Sequence, residues 1–156
     1  MSDTVRLSDV LLSRAHERGF RLPKRFEGDA ELPPDITTLS GSELMRWMTA
    51  FTSLVAYAAT EEAQAAGQAR AMAARYKQGR AQRYIEMKSG GVKMTEKQLD
   101  YELDADDELV DYRKEEILSE NYARLVKAIL SGYEAKYGLL SRELTRRGLA
   151  AERHFD

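Results

Sequence analysis

One segment of this 156-residue sequence combines lysine and arginine residues with a tyrosine, and it is the part of the chain best suited to binding a ligand. Residues 68–93 contain 7 basic side chains and 1 acidic one, although the whole chain has a net charge of −2. Lysine and arginine neutralise phosphates, and an aromatic ring between them can stack on a base. The pattern therefore predicts a site for single-stranded DNA. Its candidate residues are Arg70, Lys77, Arg80, Arg83, Tyr84 and Lys88.

The same cations have a second possible partner within the chain. Residues 96–120 contain 11 acidic and 3 basic side chains, and a turn near Gly90 would place the two blocks side by side. Exposed ion pairs contribute about 0–1 kcal/mol each, so their main effect would be to fix the register of a hairpin or of a subunit contact. The sequence leaves both interpretations open. Arg142, Arg146 and Arg147 offer a similar choice between phosphate binding and ordinary cations near a helix C-terminus.

Covalent catalysis and metal binding lack the residues they require. The chain has no cysteine, and its two histidines, His16 and His154, lie near the ends with no partner at helical spacing. It contains no Gly-x-Ser-x-Gly or P-loop motif. The acidic run that begins at Asp104 has Leu109 where an EF-hand loop needs glycine. We therefore expect no enzymatic activity, no metal site and no cofactor.

A long helix must carry the basic block. Ser40 and Glu43 fit a capping box at its start, no proline follows Pro34, and the breaker Ser89-Gly90-Gly91 follows its end. Between them, side chains recur with the 4,3,4,3 spacing of a coiled-coil heptad, with one polar interruption. These positions are Leu44, Met48, Phe51, Val55, Ala58, Glu62, Ala65, Ala69, Met72 and Tyr76. The pattern predicts one helix over about residues 41–88.

A second helix should run antiparallel to the first. Thr95 and Gln98 fit another capping box, Asp104 offers a later start, and Gly138 fits a C-terminal stop. A short third helix is predicted after Ser141. The apolar face of the second helix consists of Leu118, Tyr122, Leu125, Ile129 and Tyr133.

Together these elements predict an all-α fold. A long antiparallel, coiled-coil-like helical hairpin with a short C-terminal helix occupies residues 41–156, and an irregular N-terminal arm occupies residues 1–40. Such a hairpin exposes a long apolar seam, which predicts a homo-oligomer. Because no apolar run is long enough to cross a bilayer and cysteine is absent, we expect a cytoplasmic protein with no membrane partner. The predicted oligomerisation residues are Leu44, Trp47, Met48, Phe51, Val55, Leu140 and Leu144.

Three segments resemble the UvsY-type recombination mediators of tailed bacteriophages. Leu44-Met45-Arg46-Trp47-Met48 is similar to the start of that family's long helix, where a basic residue precedes Trp and an apolar residue. Residues 103–110 are similar to the acidic start of its second helix. Leu130-Ser131-Gly132, followed by the helix from Ser141, is similar in placement. The resemblance covers about residues 35–147.

The resemblance implies a ring-forming homo-oligomer that binds single-stranded DNA in the host cytoplasm. It would load a RecA-like recombinase in competition with single-strand-binding protein. The family's basic pair falls on Arg70 and Met72, so only Arg70 carries over, and Lys77, Arg80 or Arg83 could supply the missing cation. The alternative is a non-enzymatic structural or adaptor protein, for phage assembly or protein–protein interaction, that uses its charge blocks for self-association.

Overall fold

The computed structural model describes residues 22–28, 30–90 and 94–152, together with four isolated positions between residues 13 and 19. Within these residues, one 3-10 turn, Ile36–Thr38, precedes three α-helices, of which two are long and one is short. They are α1 (Gly41–Ser89), α2 (Glu96–Ala105) and α3 (Asp107–Glu152), and none of the described segments forms a strand. The long helix α1 packs against α3. The predicted all-α helical hairpin is therefore confirmed.

Helix α1 begins and ends where local chemistry requires. The Ser40 hydroxyl accepts a hydrogen bond from the Glu43 backbone N–H at 3.2 Å, and the Glu43 carboxylate accepts one from the Ser40 backbone N–H at 2.7 Å. This reciprocal pair satisfies two donors that the first helical turn leaves free, as the sequence predicted. The helix ends at Ser89, immediately before Gly90.

Asp106 separates the acidic segment into two helices. Thr95 and Gln98 form the predicted capping box at the start of α2, which buries Leu99 and Leu103. Asp106 then adopts an extended backbone, with φ −69° and ψ 117°, and ends α2. Its carboxylate accepts hydrogen bonds from the backbone N–H groups of Glu108 and Leu109, which makes it the N-cap of α3. The earlier predicted start, at Thr95, is confirmed, whereas the later one is wrong: Asp104 lies within α2, and the cap of α3 is Asp106.

Helix α3 runs without interruption past Gly138, where the sequence predicted a stop. Glycine ends a helix readily when it adopts a positive φ, and Gly138 does not. Continuing the helix allows Leu140, which is fully buried, and Leu144 to pack on α1 residues. The residues expected to form a separate C-terminal helix are the last turns of α3.

Two compact units make up the described chain, and each has its own core. The first contains the described residues within Ala63–Arg124, and the second contains those within Leu12–Glu62 and Leu125–Asp156. The core of the first includes the buried side chains Ala65, Leu99, Leu103 and Leu109. The core of the second is built on Leu44, Phe51, Leu54 and Leu140, with the rings of Trp47 and Tyr133 about 6 Å from that of Phe51.

Part of the segment before α1 packs on the core of the second unit. Phe26, Ile36 and Leu39 contact it, and the Lys136 ammonium donates a hydrogen bond to the carbonyl of Ala30 at 3.2 Å. A domain boundary near residue 40 stays a prediction.

Most of the apolar face that the sequence indicates on α3 is exposed. The relative exposure is 69% for Leu118, 53% for Tyr122, 58% for Leu125 and 42% for Ile129, and only Tyr133 packs on a core. Heptad spacing identifies an apolar face but not its partner. Among the α3 side chains that the structure describes, the buried apolar ones are Leu109, Val126 and Leu140. Over the described part of the chain, no helix is long and apolar enough to cross a bilayer.

Candidate nucleic-acid interface

Arg80 connects α1 to α2. Its guanidinium lies 2.6 Å from the Asp104 carboxylate and 2.9 Å from that of Asp100, and its side chain is 30% exposed. The hydrogen bond to Asp104 raises the pKa of Arg80 above its ordinary value. Both nitrogens at the end of the guanidinium are occupied by carboxylates of the acidic block, so this cation acts within the chain.

Arg83 is held at the junction between α2 and α3. Its Nε lies 2.7 Å from Asp106, and its Nη1 lies 3.0 Å from Glu86 on the same helix. The Asp106 side chain is only 10% exposed, and the hydrogen bond from Arg83 is the main cause of its lowered pKa. Since Asp106 also caps α3, the position of Arg83 is tied to the start of that helix.

Tyr84 and Lys88 share a single acidic partner. The Lys88 ammonium lies 2.6 Å from Glu96, to which the Tyr84 hydroxyl also donates a hydrogen bond, at 3.1 Å. The hydrogen bond to Glu96 raises the pKa of Lys88, and that from Lys88 lowers the pKa of Glu96. The ammonium also lies 5.3 Å from the centre of the Tyr84 ring. One face of the ring predicted to stack on a base is therefore in contact with a neighbouring cation.

Arg75 packs on α3 in the same unit. Its guanidinium lies 4.3 Å from the centre of the Tyr112 ring and 3.5 Å from Glu115. Beside it, Gly79 allows close packing, because a Cβ added there would lie 3.2 Å from side-chain atoms of Leu109 and Tyr112. A cavity of about 310 Å³ opens next to this contact. Its ionisable side chains are hydrogen-bonded to each other or to neighbouring residues.

Arg70 and Lys77 are the two candidate cations that no carboxylate of the described residues holds. Both are exposed, and no hydrogen bond or ion pair joins either of them to a described residue. They lie seven residues apart on α1, which corresponds to about two turns and roughly 10 Å along one flank. Of the six predicted DNA-binding residues, these two are the ones with no hydrogen bond or ion pair to the described part of the chain.

Six of the seven predicted oligomerisation residues, all except Val55, lie in or against the core of the second unit. Leu44, Phe51 and Leu140 are fully buried within one chain. The partly buried members are Trp47, Met48, Val55 and Leu144. Packing inside a single chain accounts for the apolar character of the buried three, which leaves them no exposed surface for a second subunit. A role in assembly for the other four stays a prediction.

The C-terminal arginines also bind within the chain. Glu143, 7% exposed, accepts hydrogen bonds from Arg146 and Arg147, and these lower its pKa to about 2. Arg147 also donates to the backbone carbonyls of Leu39 and Thr37, at 2.6 Å and 2.9 Å. Arg147 therefore fixes the entry to α1 against the end of α3, whereas Arg146 pairs only with Glu143 on the same helix.

Sequence reasoning missed Asp106, which ends α2 and whose carboxylate joins Arg83 on α1 to the first turn of α3. An N-cap signal was present, since Asp106 precedes Asp107 and Glu108, acidic residues suited to a first helical turn. Among described residues, no group of histidine, aspartate and glutamate is arranged to hold a metal ion. No protein-family model, curated protein or solved structure matches the chain.

Proposed function

We propose that this chain is a non-enzymatic accessory protein of homologous recombination, which binds single-stranded DNA as a homo-oligomer and loads a RecA-like recombinase. The observation that carries the proposal is the exposed pair Arg70 and Lys77, on one flank of α1 and without an acidic partner in the described chain. The resemblance to UvsY-type mediators in three segments supports the same function.

Two cations per subunit make a weak site on their own. Each phosphate contact releases counterions, and for single strands the logarithm of affinity falls by about 0.7 per contact for each tenfold rise in salt. Subunits that share one strand act multivalently, because binding of the first raises the effective concentration of the next. Oligomerisation is therefore part of the proposed binding mechanism.

A titration of fluorescent oligonucleotide against salt tests DNA binding. Two contacts per subunit predict a slope near −1.4 for each subunit engaged, or roughly sevenfold weaker binding per subunit at 200 mM than at 50 mM salt. The double variant Arg70→Glu/Lys77→Glu should bind at least about tenfold more weakly at 50 mM salt and should keep its helicity.

The matched control is Lys97→Glu/Lys127→Glu, which changes the net charge equally at two exposed lysines outside that flank. It should retain most of the affinity. Equal losses in both double variants would mean that net charge, rather than the flank, determines binding, and would contradict the proposed site.

Recombinase loading needs its own measurement. Filament formation by a RecA-like recombinase on oligonucleotide coated with single-strand-binding protein should accelerate when the wild-type chain is added. It should not accelerate with Arg70→Glu/Lys77→Glu. A protein that binds DNA without this effect would be a DNA-binding protein but not a mediator.

The pairing of the other cations favours a second candidate function. Arg80, Arg83 and Lys88 contact carboxylates of residues 96–106 inside one chain. A helical structural or adaptor protein would use its charge blocks in this way, without a nucleic-acid partner. An oligomer that binds no oligonucleotide even at 50 mM salt would support this candidate over the first.

A further inference from the structure

One cavity of the second unit is lined by two aromatic rings. It has a volume of about 380 Å³, and the rings are those of Phe26, before α1, and Trp47, in the second turn of α1. Both side chains pack on the core of the unit, so this packing fixes the aromatic walls. The rings of Trp47 and Phe51 stack with their centres 6.0 Å apart, and the cavity meets the part of the indole that Phe51 leaves uncovered. A preformed cavity of this size with aromatic walls suits a small, flat molecule.

A glycine allows the Phe26 ring to take its place in the cavity wall. A Cβ added at Gly28 would lie 2.8 Å from a carbon of that ring, which is too close for two carbon atoms that are not bonded. The ring therefore rests against the backbone at Gly28, and a larger residue at this position would displace it. The shape of the cavity depends on this close contact as well as on the core.

Three of the four polar or charged side chains that line the cavity have no partner in the described part of the chain. No hydrogen bond or ion pair joins the Arg46 guanidinium, the Glu27 carboxylate or the Trp47 indole N–H to a described residue. The fourth is the Glu43 carboxylate, which accepts hydrogen bonds from the backbone N–H and the hydroxyl of Ser40. The cavity thus combines aromatic walls with one cation, one hydrogen-bond donor and one hydrogen-bond acceptor.

Two more cations directly precede the Phe26 wall in the chain. Lys24 and Arg25 are exposed, and no hydrogen bond or ion pair joins either of them to a described residue. With Arg46 they give three cations, against two carboxylates in the cavity wall. Cations beside an aromatic ring are the combination with which proteins bind single strands, because the ring stacks on a base and the cations neutralise phosphates.

We propose that this cavity binds one base of single-stranded DNA. The base stacks on the indole of Trp47, and Arg46 pairs with the phosphate next to it. The Glu27 carboxylate accepts a hydrogen bond from an amino group on the edge of the base, which selects cytosine and adenine over thymine. The inference takes its ligand from the proposed function, on which it rests, and adds to the flank of α1 a second contact site in each subunit.

Intrinsic fluorescence reports directly on the cavity, because Trp47 is the only tryptophan of the chain. Titration of the full chain with deoxycytidine monophosphate should quench this fluorescence along a saturating curve, since a stacked base quenches an indole. N-acetyltryptophanamide, which has no cavity around its ring, is the control and should show only the linear response of collisional quenching. A linear response of the protein, as expected if a second subunit covers Trp47, would overturn the proposal.

The preference between bases tests the role of Glu27. Thymidine monophosphate should need a concentration at least about threefold higher than deoxycytidine monophosphate for half of the quenching. In Glu27→Gln the two midpoints should converge, because an amide donates hydrogen bonds as well as accepting them. Equal midpoints in the wild-type chain would refute the contact assigned to Glu27.

The salt dependence of oligonucleotide binding tests Arg46. One further phosphate contact steepens the expected slope from about −1.4 to about −2.1 per subunit, and Arg46→Glu should return it to about −1.4. The matched control is Lys127→Glu, an equal change of charge at an exposed lysine of the second unit that does not line the cavity. Both variants should keep the wild-type helicity, because neither side chain has an ion pair with a described residue. An unchanged slope in Arg46→Glu would overturn the proposal.

The two proposals fail separately. Oligonucleotide binding that is lost in Arg70→Glu/Lys77→Glu, without saturable quenching of Trp47 by oligonucleotide or mononucleotide, would overturn the cavity site and leave DNA binding by the flank of α1 intact. Saturable quenching by deoxycytidine monophosphate, together with an unchanged oligonucleotide affinity in Arg70→Glu/Lys77→Glu, would do the reverse.

Discussion

Replacing Arg80 by glutamine should loosen α2 from α1 without directly affecting a DNA contact. The guanidinium of Arg80 bridges Asp100 and Asp104, one turn apart on the outer side of α2. Helix α2 has only 10 residues and buries two leucines, Leu99 and Leu103. A helix this short is not stable by itself in water, so its structure depends on such tertiary contacts.

The size of the effect follows from the exposure of the groups. Both aspartate side chains are 66% exposed, so each pair contributes no more than about 1 kcal/mol, and the two together about 1–2 kcal/mol. If α2 opens locally, this change raises the population of the open state roughly 5- to 30-fold. If α2 instead unfolds with the whole chain, the Tm falls by about 2–4 °C for each kcal/mol lost.

Hydrogen exchange measured by mass spectrometry checks this expectation. Peptides within residues 96–105 should exchange faster in Arg80→Gln than in the wild type, and peptides from the second unit should not change if opening is local. Lys77→Gln is the matched control, since Lys77 has no ion pair with a described residue. If Arg80→Gln showed unchanged exchange and Tm but lost oligonucleotide affinity, the assignment of Arg80 to hairpin closure would be refuted.

Three further changes test other contacts. Asp106→Ala removes a helix cap and the ion pair with Arg83, so it should lower the free energy of unfolding in urea by about 1–3 kcal/mol. The control Asp107→Ala should change that free energy by less than about 0.5 kcal/mol. The pKa of Glu143 is lowered to about 2 from an ordinary 4.5. The stability that its carboxylate contributes is therefore fully present above about pH 4.5 and is lost as pH falls towards 2. In an acid titration of unfolding, the Glu143→Gln variant should lack this loss of stability. A Cβ added at Gly67 would lie in open space, so Gly67→Ala should raise the Tm through its higher helix propensity. Gly79→Val should lower the Tm, because the new side chain would crowd Leu109 and Tyr112 of α3. Equal Tm shifts for the two variants in thermal melts would contradict the close packing of Gly79 on α3.

Features governed by neighbouring residues were predictable from the sequence. The capping boxes at Ser40 and Thr95 and the break after Ser89 are present because each depends on side chains within three or four positions. The charge blocks also indicated correctly that pairing between residues 68–93 and 96–120 was available. They did not indicate which cations would pair. Arg80 and Arg83 lie opposite α2 and its junction with α3, whereas Arg70 and Lys77 hold no carboxylate of the described chain.

The tertiary structure decided how the apolar faces are used. Periodicity gives the spacing of side chains on a helix, and this follows from backbone geometry alone. Which face is buried depends on where the partner helix lies, so Val126 is buried while Leu118 and Leu125 on a neighbouring face are exposed. The continuation of α3 through Gly138 has the same origin. A glycine weakens a helix by about 1 kcal/mol, and burial of a leucine such as Leu140 contributes more than this, which no local signal at the glycine could reveal.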